Sequence, residues 1–246
     1  MDLQTGIVYG PVHSRRLGRS LGVNLAPAGC KVCNFNCSYC QYGWTAFQCR
    51  GVWPRPADVL EAVEEALVAT PDVDHITVAG NGEPTLHPAF APISEGLFHA
   101  RARHAPNAKL ALLSNGSTLD RRDVFYSLAR FDVRSMKLDA GDATTFRLMN
   151  ASGLPLGRLI ANLRSVAHLT LQSMFVHDVE GVIDNTTPRA VDAWLDAIDR
   201  VRPDSVDIYT VARSTARTSL RKAAPSTLEA IAARVTALGI PARVFA

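Results

Sequence analysis

The chain has 246 residues, 47% of them hydrophobic and 20% charged, with a formal net charge of +3. That length suits one large domain spanning residues 1–246 and needs no staples to fold, and so small a net charge is not that of a dedicated nucleic-acid binder. No apolar run reaches the roughly 18 residues of a membrane-spanning helix, and no signal-peptide pattern opens the chain, so it reads as cytoplasmic with no membrane partner.

Along the chain, the densest basic stretch is Ser14-Arg15-Arg16-Leu17-Gly18-Arg19, just before a first expected strand at 21–26. A cysteine-bearing loop follows. A helix is expected from Pro56, because Val59, Leu60, Val63, Leu67 and Val68 recur at the three-to-four spacing of one helical face. A strand at 75–80, a helix at 87–104 and a strand at 109–114 come next, the last stopped by Asn115-Gly116. Asp120, with Asp123 three residues on, reads as the N-cap of a helix running to 131. A strand at 133–140 precedes a mostly helical stretch at 142–169, broken near Gly153-Leu154-Pro155. Then follow a strand at 170–177, a helix at 187–202, a strand at 205–212, a helix at 225–238 and a short strand at 242–245. This alternation implies an α/β fold with parallel strands and crossover helices. Periodicity alone leaves open whether the sheet curls into a barrel or stays open and doubly wound.

All five cysteines fall between Cys30 and Cys49. An odd number in so short a window points to metal or redox chemistry rather than a disulfide framework. Cys33, Cys37 and Cys40 form C-x3-C-x2-C, which can hold three irons of a cubane and leave the fourth without a protein ligand. A zinc knot of Cys30, Cys33, Cys37 and Cys40 is the competing reading, and with it a non-enzymatic zinc-binding module.

The octet Cys33-Asn34-Phe35-Asn36-Cys37-Ser38-Tyr39-Cys40, with an aromatic residue before its last cysteine, resembles the signature of the radical S-adenosylmethionine (SAM) superfamily. Gly80-Asn81-Gly82-Glu83-Pro84 is similar to that superfamily's glycine–glycine–glutamate–proline motif, with Asn81 in place of the first glycine. The strings Tyr9-Gly10-Pro11-Val12-His13-Ser14-Arg15-Arg16-Leu17-Gly18 and Lys137-Leu138-Asp139-Ala140-Gly141-Asp142 resemble a subgroup of short Fe–S oxidoreductases related to wyosine-forming tRNA enzymes. The two spare cysteines, Cys30 and Cys49, do not supply an ordinary second cubane such as the wyosine-forming enzymes carry.

The resemblance implies a single-domain partial (βα)6 barrel with its reactive groups at the carboxyl ends of the strands. It implies a [4Fe-4S] cluster on Cys33, Cys37 and Cys40, SAM as cosubstrate, and an electron donor such as flavodoxin or ferredoxin. The cofactor-binding set it implies is Tyr39, Asn81, Gly82, Glu83, Pro84, Ser114, Asn115, Lys137, Asp139 and Tyr209. Lys137 and Asp139 share one strand face and are the candidate catalytic pair, Lys137 for the cofactor carboxylate and Asp139 for a ribose hydroxyl or a substrate group. His13, Arg15, Arg16 and Arg213 are the candidate substrate residues; the N-terminal 20 residues are expected to fold over the barrel mouth, with Arg15, Arg16 and Arg19 facing an anionic group. A small anionic molecule or a modified base is the expected substrate, with tRNA less favoured. Transfer of the 3-amino-3-carboxypropyl group is the alternative to ordinary radical initiation.

Overall fold

The computed structural model describes residues 2–45, 49 and 51–246. The chain opens with an antiparallel hairpin, β1 (Val8–Ser14) and β2 (Gly18–Val23). Strand–helix units follow: α1 (Pro56–Ala69), β3 (His75–Val78), α2 (Phe90–His104), β4 (Lys109–Ser114), α3 (Arg122–Ser127) and β5 (Val133–Lys137). The second half holds α4 (Ala143–Asn150), α5 (Leu156–Arg164), β6 (Leu169–Met174), β7 (Val176–Asp178), α6 (Pro188–Val201), β8 (Ser205–Tyr209), β9 (Leu220–Lys222), α7 (Pro225–Ala237) and β10 (Ala242–Phe245). The main sheet has eight strands in the order β1-β2-β3-β4-β5-β6-β8-β10, parallel from β2 onward, and it curls into a half-barrel. The partial barrel is the architecture expected, with strands added at both edges.

Alternation along the strands divides the residues between two environments. Ile76, Val78, Leu110, Leu112, Leu171, Val206 and Ile208 are fully buried and join the helix faces of Val59, Val63, Leu67, Leu97, Leu228 and Val235 in one continuous core. Lys137, Gln172, Met174 and Tyr209 stand on the opposite face and line the barrel interior. Several helix starts are set locally. Pro188 occupies the first turn of α6 while the Thr187 side chain accepts from Ala190 N, and Asp142 accepts from Thr144 N and Thr145 N to cap α4.

Three departures from the sequence reading have identifiable causes. β1 was not expected because Gly10 and Pro11 interrupt it; it tolerates them at the sheet edge, with a bulge between Tyr9 and Val12. β7 and β9 form a separate two-stranded sheet of three residues each, too short to carry a period. Asp120 does not cap α3, whose N-cap is Arg121 with no side-chain hydrogen bond; Asp120 pairs instead with Arg158, and the helix gives way to a 3-10 turn at Leu128–Arg130.

Trp194 of α6 is buried and donates through Nε1 to Leu138 O at 2.9 Å, anchoring α6 to the chain beyond β5. A Cβ on Gly141 would stand 1.8 Å from Ala193 O of the same helix. Because backbone cannot yield as a side chain can, Gly141→Ala is expected to destabilise the fold by about 1–3 kcal/mol. The urea midpoint measures this, and an unchanged midpoint would show that α6 is not packed this closely.

Candidate active site

The strand ends meet the cysteine loop around a cavity of about 790 Å³. The loop is held to its surroundings by backbone. Val32 N donates to Asn81 O at 2.8 Å and Glu83 N donates to Val32 O at 2.9 Å, a parallel bridge across Gly82. Gly82 has φ +138°, and a Cβ there would lie 1.8 Å from Val32 O, so only glycine permits this approach. On its other side the loop bonds to the end of α4, with Asn36 N donating to Asn150 O and Ser38 N to Met149 O. Arg217 N donates to Ser38 O at 2.8 Å, while the Arg217 side chain pairs with Asp178 and Glu180.

Cys33, Cys37 and Cys40 all line the cavity. Asn115 Nδ2 lies 3.8 Å from Cys33 Sγ, and Asn150 Nδ2 lies 3.4 Å from Cys37 Sγ, each as donor. Burial pushes the Cys33 thiol up to about 12, with the neighbouring Cys37 adding to it, and burial also raises Cys37. Cys30 is disulfide-bonded to Cys49 and is therefore not a ligand here. Among the described residues, no three His, Cys, Asp or Glu side chains converge as ligands of a single metal ion. A four-cysteine zinc knot does not fit this arrangement.

Of the expected cofactor residues, Tyr39, Gly82, Glu83, Ser114, Asn115, Lys137 and Tyr209 line the cavity. Glu83 is buried, and its carboxylate accepts from Thr85 N, Thr85 Oγ1, Ser114 Oγ at 2.7 Å and Asn115 N at 2.6 Å. Burial raises its carboxyl above the usual range, and these donors oppose that rise. Asn81 and Pro84 lie behind the lining. Asn81 clamps the N-terminal segment, accepting from Gln4 N at 2.8 Å and donating to Gln4 O at 2.7 Å. Pro84 opens the 3-10 turn Pro84–Leu86.

Asp139 is also behind the lining. It accepts from the Tyr39 hydroxyl, from Asn150 Nδ2 at 2.7 Å and from Met174 N at 2.9 Å. Lys137 Nζ lies 3.8 Å from the Asp139 carboxylate, 4.9 Å from the Tyr39 ring centroid and 3.3 Å from the Tyr209 hydroxyl. Burial pulls the Lys137 ammonium down, but Asp139, Tyr209 and Cys37 outweigh it and leave Lys137 above the ordinary lysine value. Burial, then Asp139, holds Tyr39 well above the ordinary phenol value.

His13, Arg15, Arg16 and Arg213 all line the cavity. Arg15 donates to Ala246 O at 2.5 Å and Arg213 to Gln41 Oε1 at 2.8 Å. Arg16 reaches Gln172 Oε1 at 3.0 Å. Arg19 turns away from the mouth and donates to Asp72 O at 3.0 Å. Sequence reasoning missed Asn150 and Gln172. Gln172 carried the same signal as Lys137, a polar residue inside a buried strand; Asn150 carried none, since its role depends on where α4 ends.

The radical SAM superfamily family model matches residues 30–178, more than half of the chain. The chain belongs to the radical SAM superfamily. It is 30% identical over 222 residues to a UPF0026 protein of Helicobacter pylori, covering 84% of this chain and 67% of that one. A UPF0026 protein of Methanocaldococcus jannaschii is 36% identical over 148 residues, 58% of this chain and 44% of that one. A Brachyspira hyodysenteriae protein named GTPase Obg is 27% identical over 230 residues, 90% of this chain and 32% of that one. The chain thus spans from a third to two thirds of the length of these relatives. Among solved structures, a radical SAM methyltransferase from Sphaerobacter thermophilus matches with TM-score 0.65 at 20% identity, covering 92% of this chain and 65% of that one. Streptococcus suis SuiB bound to its precursor peptide SuiA matches with TM-score 0.67 at 12% identity, covering 92% of this chain and 48% of that one. These two establish the fold, and membership of the superfamily supports SAM-dependent radical chemistry over a non-enzymatic zinc module. No helix of the described residues is long and apolar enough to cross a membrane.

Radical SAM proteins carry a [4Fe-4S] cluster and SAM, and the residues present fit both. Three free thiols face one cavity, and two carry amide donors of the kind that tune cluster potentials. An N–H donor stabilises charge on sulfur most when the cluster is reduced. Asn150→Leu is therefore expected to lower the reconstituted cluster's midpoint potential. A differential of about 1 kcal/mol per hydrogen bond corresponds to roughly 40 mV for one electron. Electrochemical titration measures the shift, and an unchanged potential would show that the Asn150 amide does not act on Cys37.

Proposed function

We propose that this protein binds a [4Fe-4S] cluster on Cys33, Cys37 and Cys40 and cleaves SAM reductively, directing the resulting radical at a small molecule. The observation that carries this reading is the set of three free thiols on one cavity beside Gly82 and Glu83, with Cys30 and Cys49 joined to each other. When bound, the cluster and SAM would supply the radical chemistry, the cluster passing one electron from a donor such as flavodoxin or ferredoxin to the sulfonium for reductive cleavage to methionine and a radical able to take a hydrogen atom from the substrate.

The protein's residues hold and orient. Lys137 offers its ammonium to the cofactor carboxylate from beside Cys37, and Asp139, Tyr209 and the Tyr39 ring fix that ammonium in place. Asp139 works as a positioning residue, since Tyr39 and Lys137 stand between it and the cavity. Tyr39 braces the cluster loop through its hydroxyl. Glu83 orders the turn at Ser114 and Asn115, so that the Asn115 amide faces Cys33. Gly82 brings polar backbone to the cavity edge, where the methionine amine can be held.

Two measurements test this. Anaerobic reduction of the reconstituted protein with SAM is expected to yield 5′-deoxyadenosine by mass spectrometry; 5′-methylthioadenosine as the main product would favour aminocarboxypropyl transfer instead. Lys137→Ala is expected to weaken SAM binding roughly 10- to 150-fold, the loss of one charge-assisted hydrogen bond of about 1.5–3 kcal/mol, with iron content retained. An unchanged dissociation constant would place the cofactor carboxylate elsewhere.

A further inference from the structure

The hairpin between β1 and β2 delivers one cation into the barrel. Ser14 Oγ accepts from Arg16 N at 3.3 Å and from Leu17 N at 3.1 Å, which closes the turn and sets the direction of the Arg16 side chain. The guanidinium carbon lies 5.0 Å from the centroid of the Tyr209 ring. Among the described residues its hydrogen bond is to Gln172 Oε1, and Gln172 is held in that orientation by its own Nε2, which donates to Ser135 O at 3.2 Å.

What the guanidinium lacks is a counter-charge. Among the described residues no carboxylate lies within about 4 Å of it, the reach of an ion pair. Lys137, whose ammonium lies 6.0 Å from the centroid of the same Tyr209 ring, is already matched by Asp139 at 3.8 Å and leaves that acid unavailable to Arg16. Among the described residues the one carboxylate lining the cavity is Glu83, which already accepts from four donors. In the proposed function the SAM carboxylate goes to Lys137, and the sulfonium is a further cation, so bound SAM brings no acid dedicated to Arg16. A half-buried guanidinium with open donors and no acid is costly in the empty cavity and is relieved by a ligand that carries the charge.

We infer that Arg16, supported by Tyr209 and Gln172, forms an oxyanion subsite for the substrate, taking a carboxylate or phosphate group of a small molecule whose reactive carbon lies toward the cysteine loop. The guanidinium's planar fork suits either group. The subsite deepens the proposed function and rests on it only in sharing the cavity with SAM. A second cavity of about 650 Å³, at the opposite strand ends, also borders Arg16, but it is lined by Asp72 and Asp74 as well as Lys109 and is the less favourable side for an anion.

The test uses the anaerobically reconstituted protein with saturating SAM, titrated with malonate in one arm and inorganic phosphate in the other, against chloride at equal ionic strength. Calorimetric or thermal-shift titration is expected to show saturable binding of at least one. A response to malonate alone assigns a carboxylate substrate, and one to phosphate alone assigns a phosphate ester. Arg16→Met is expected to weaken the response at least tenfold. Gln172→Glu, which gives the guanidinium an internal partner while keeping it in place, should weaken it similarly. Iron content serves as the folding control for both variants. No response beyond chloride in the wild type, or a wild-type response in Arg16→Met, overturns the subsite, as does a response seen only when SAM is left out. Failure of the proposed function would appear separately, as absence of SAM cleavage products from the wild-type protein.

Discussion

The contact between Val32 and Gly82 governs the site. Two backbone hydrogen bonds lock the cysteine loop to the end of β3, and they form only because Gly82 has no Cβ. From that contact follow the placement of Cys33 beside Asn115 and the turn of Glu83 into its four donors. The second anchor, at the end of α4, places Cys37 against Asn150. A loop of this length without secondary structure of its own would otherwise be an imprecise place for three ligands; pinned at both sides by backbone, it becomes part of the rigid barrel rim.

Behind the thiols lies a buried polar network of Asp139, Tyr39, Asn150 and Lys137. Such networks are costly unless every member is satisfied. Here the Asp139 carboxylate has three donors and the ammonium facing it, so its charge is matched within the protein, while Asn150 Oδ1 has no hydrogen-bond partner among the described residues. Arg16, beside the same Tyr209 ring as Lys137, differs in having no acid partner among the described residues. The interior therefore holds one compensated cation, Lys137, and one uncompensated cation, Arg16, around a single Tyr209 ring, and an anionic molecule would be oriented by the second.

The architecture was legible because its signals are long. Helices such as α6 and α7 repeat their apolar residues over several turns, and the buried strands β3 and β4 run as short apolar blocks between breakers. That Cys33, Cys37 and Cys40 would stand together on one cavity was legible from their spacing, and the place of Lys137 on it from a charge on the strand's interior face. What stayed hidden depended on distance in space. Asn81, which replaces a glycine of the motif, clamps Gln4, a partner 77 positions away, a contact that no local pattern signals. Asp139 shares a face with Lys137, yet Tyr39 covers it, which no two-residue alternation reveals. Arg15, Arg16 and Arg19 looked equivalent in one basic run; the hairpin sends Arg15 to Ala246, Arg16 into the barrel and Arg19 to Asp72. The edge hairpin itself escaped notice because its strand contains the residues that usually break one.

The central claim is that three thiolates leave one iron open for SAM. Electron–nuclear double resonance on the reduced, reconstituted protein tests it directly, using SAM labelled with ¹⁷O in the methionine carboxylate or ¹⁵N in the amine. The account predicts a hyperfine coupling from each label to the cluster spin. Spectra identical with labelled and unlabelled SAM, under conditions where SAM is bound, would contradict it.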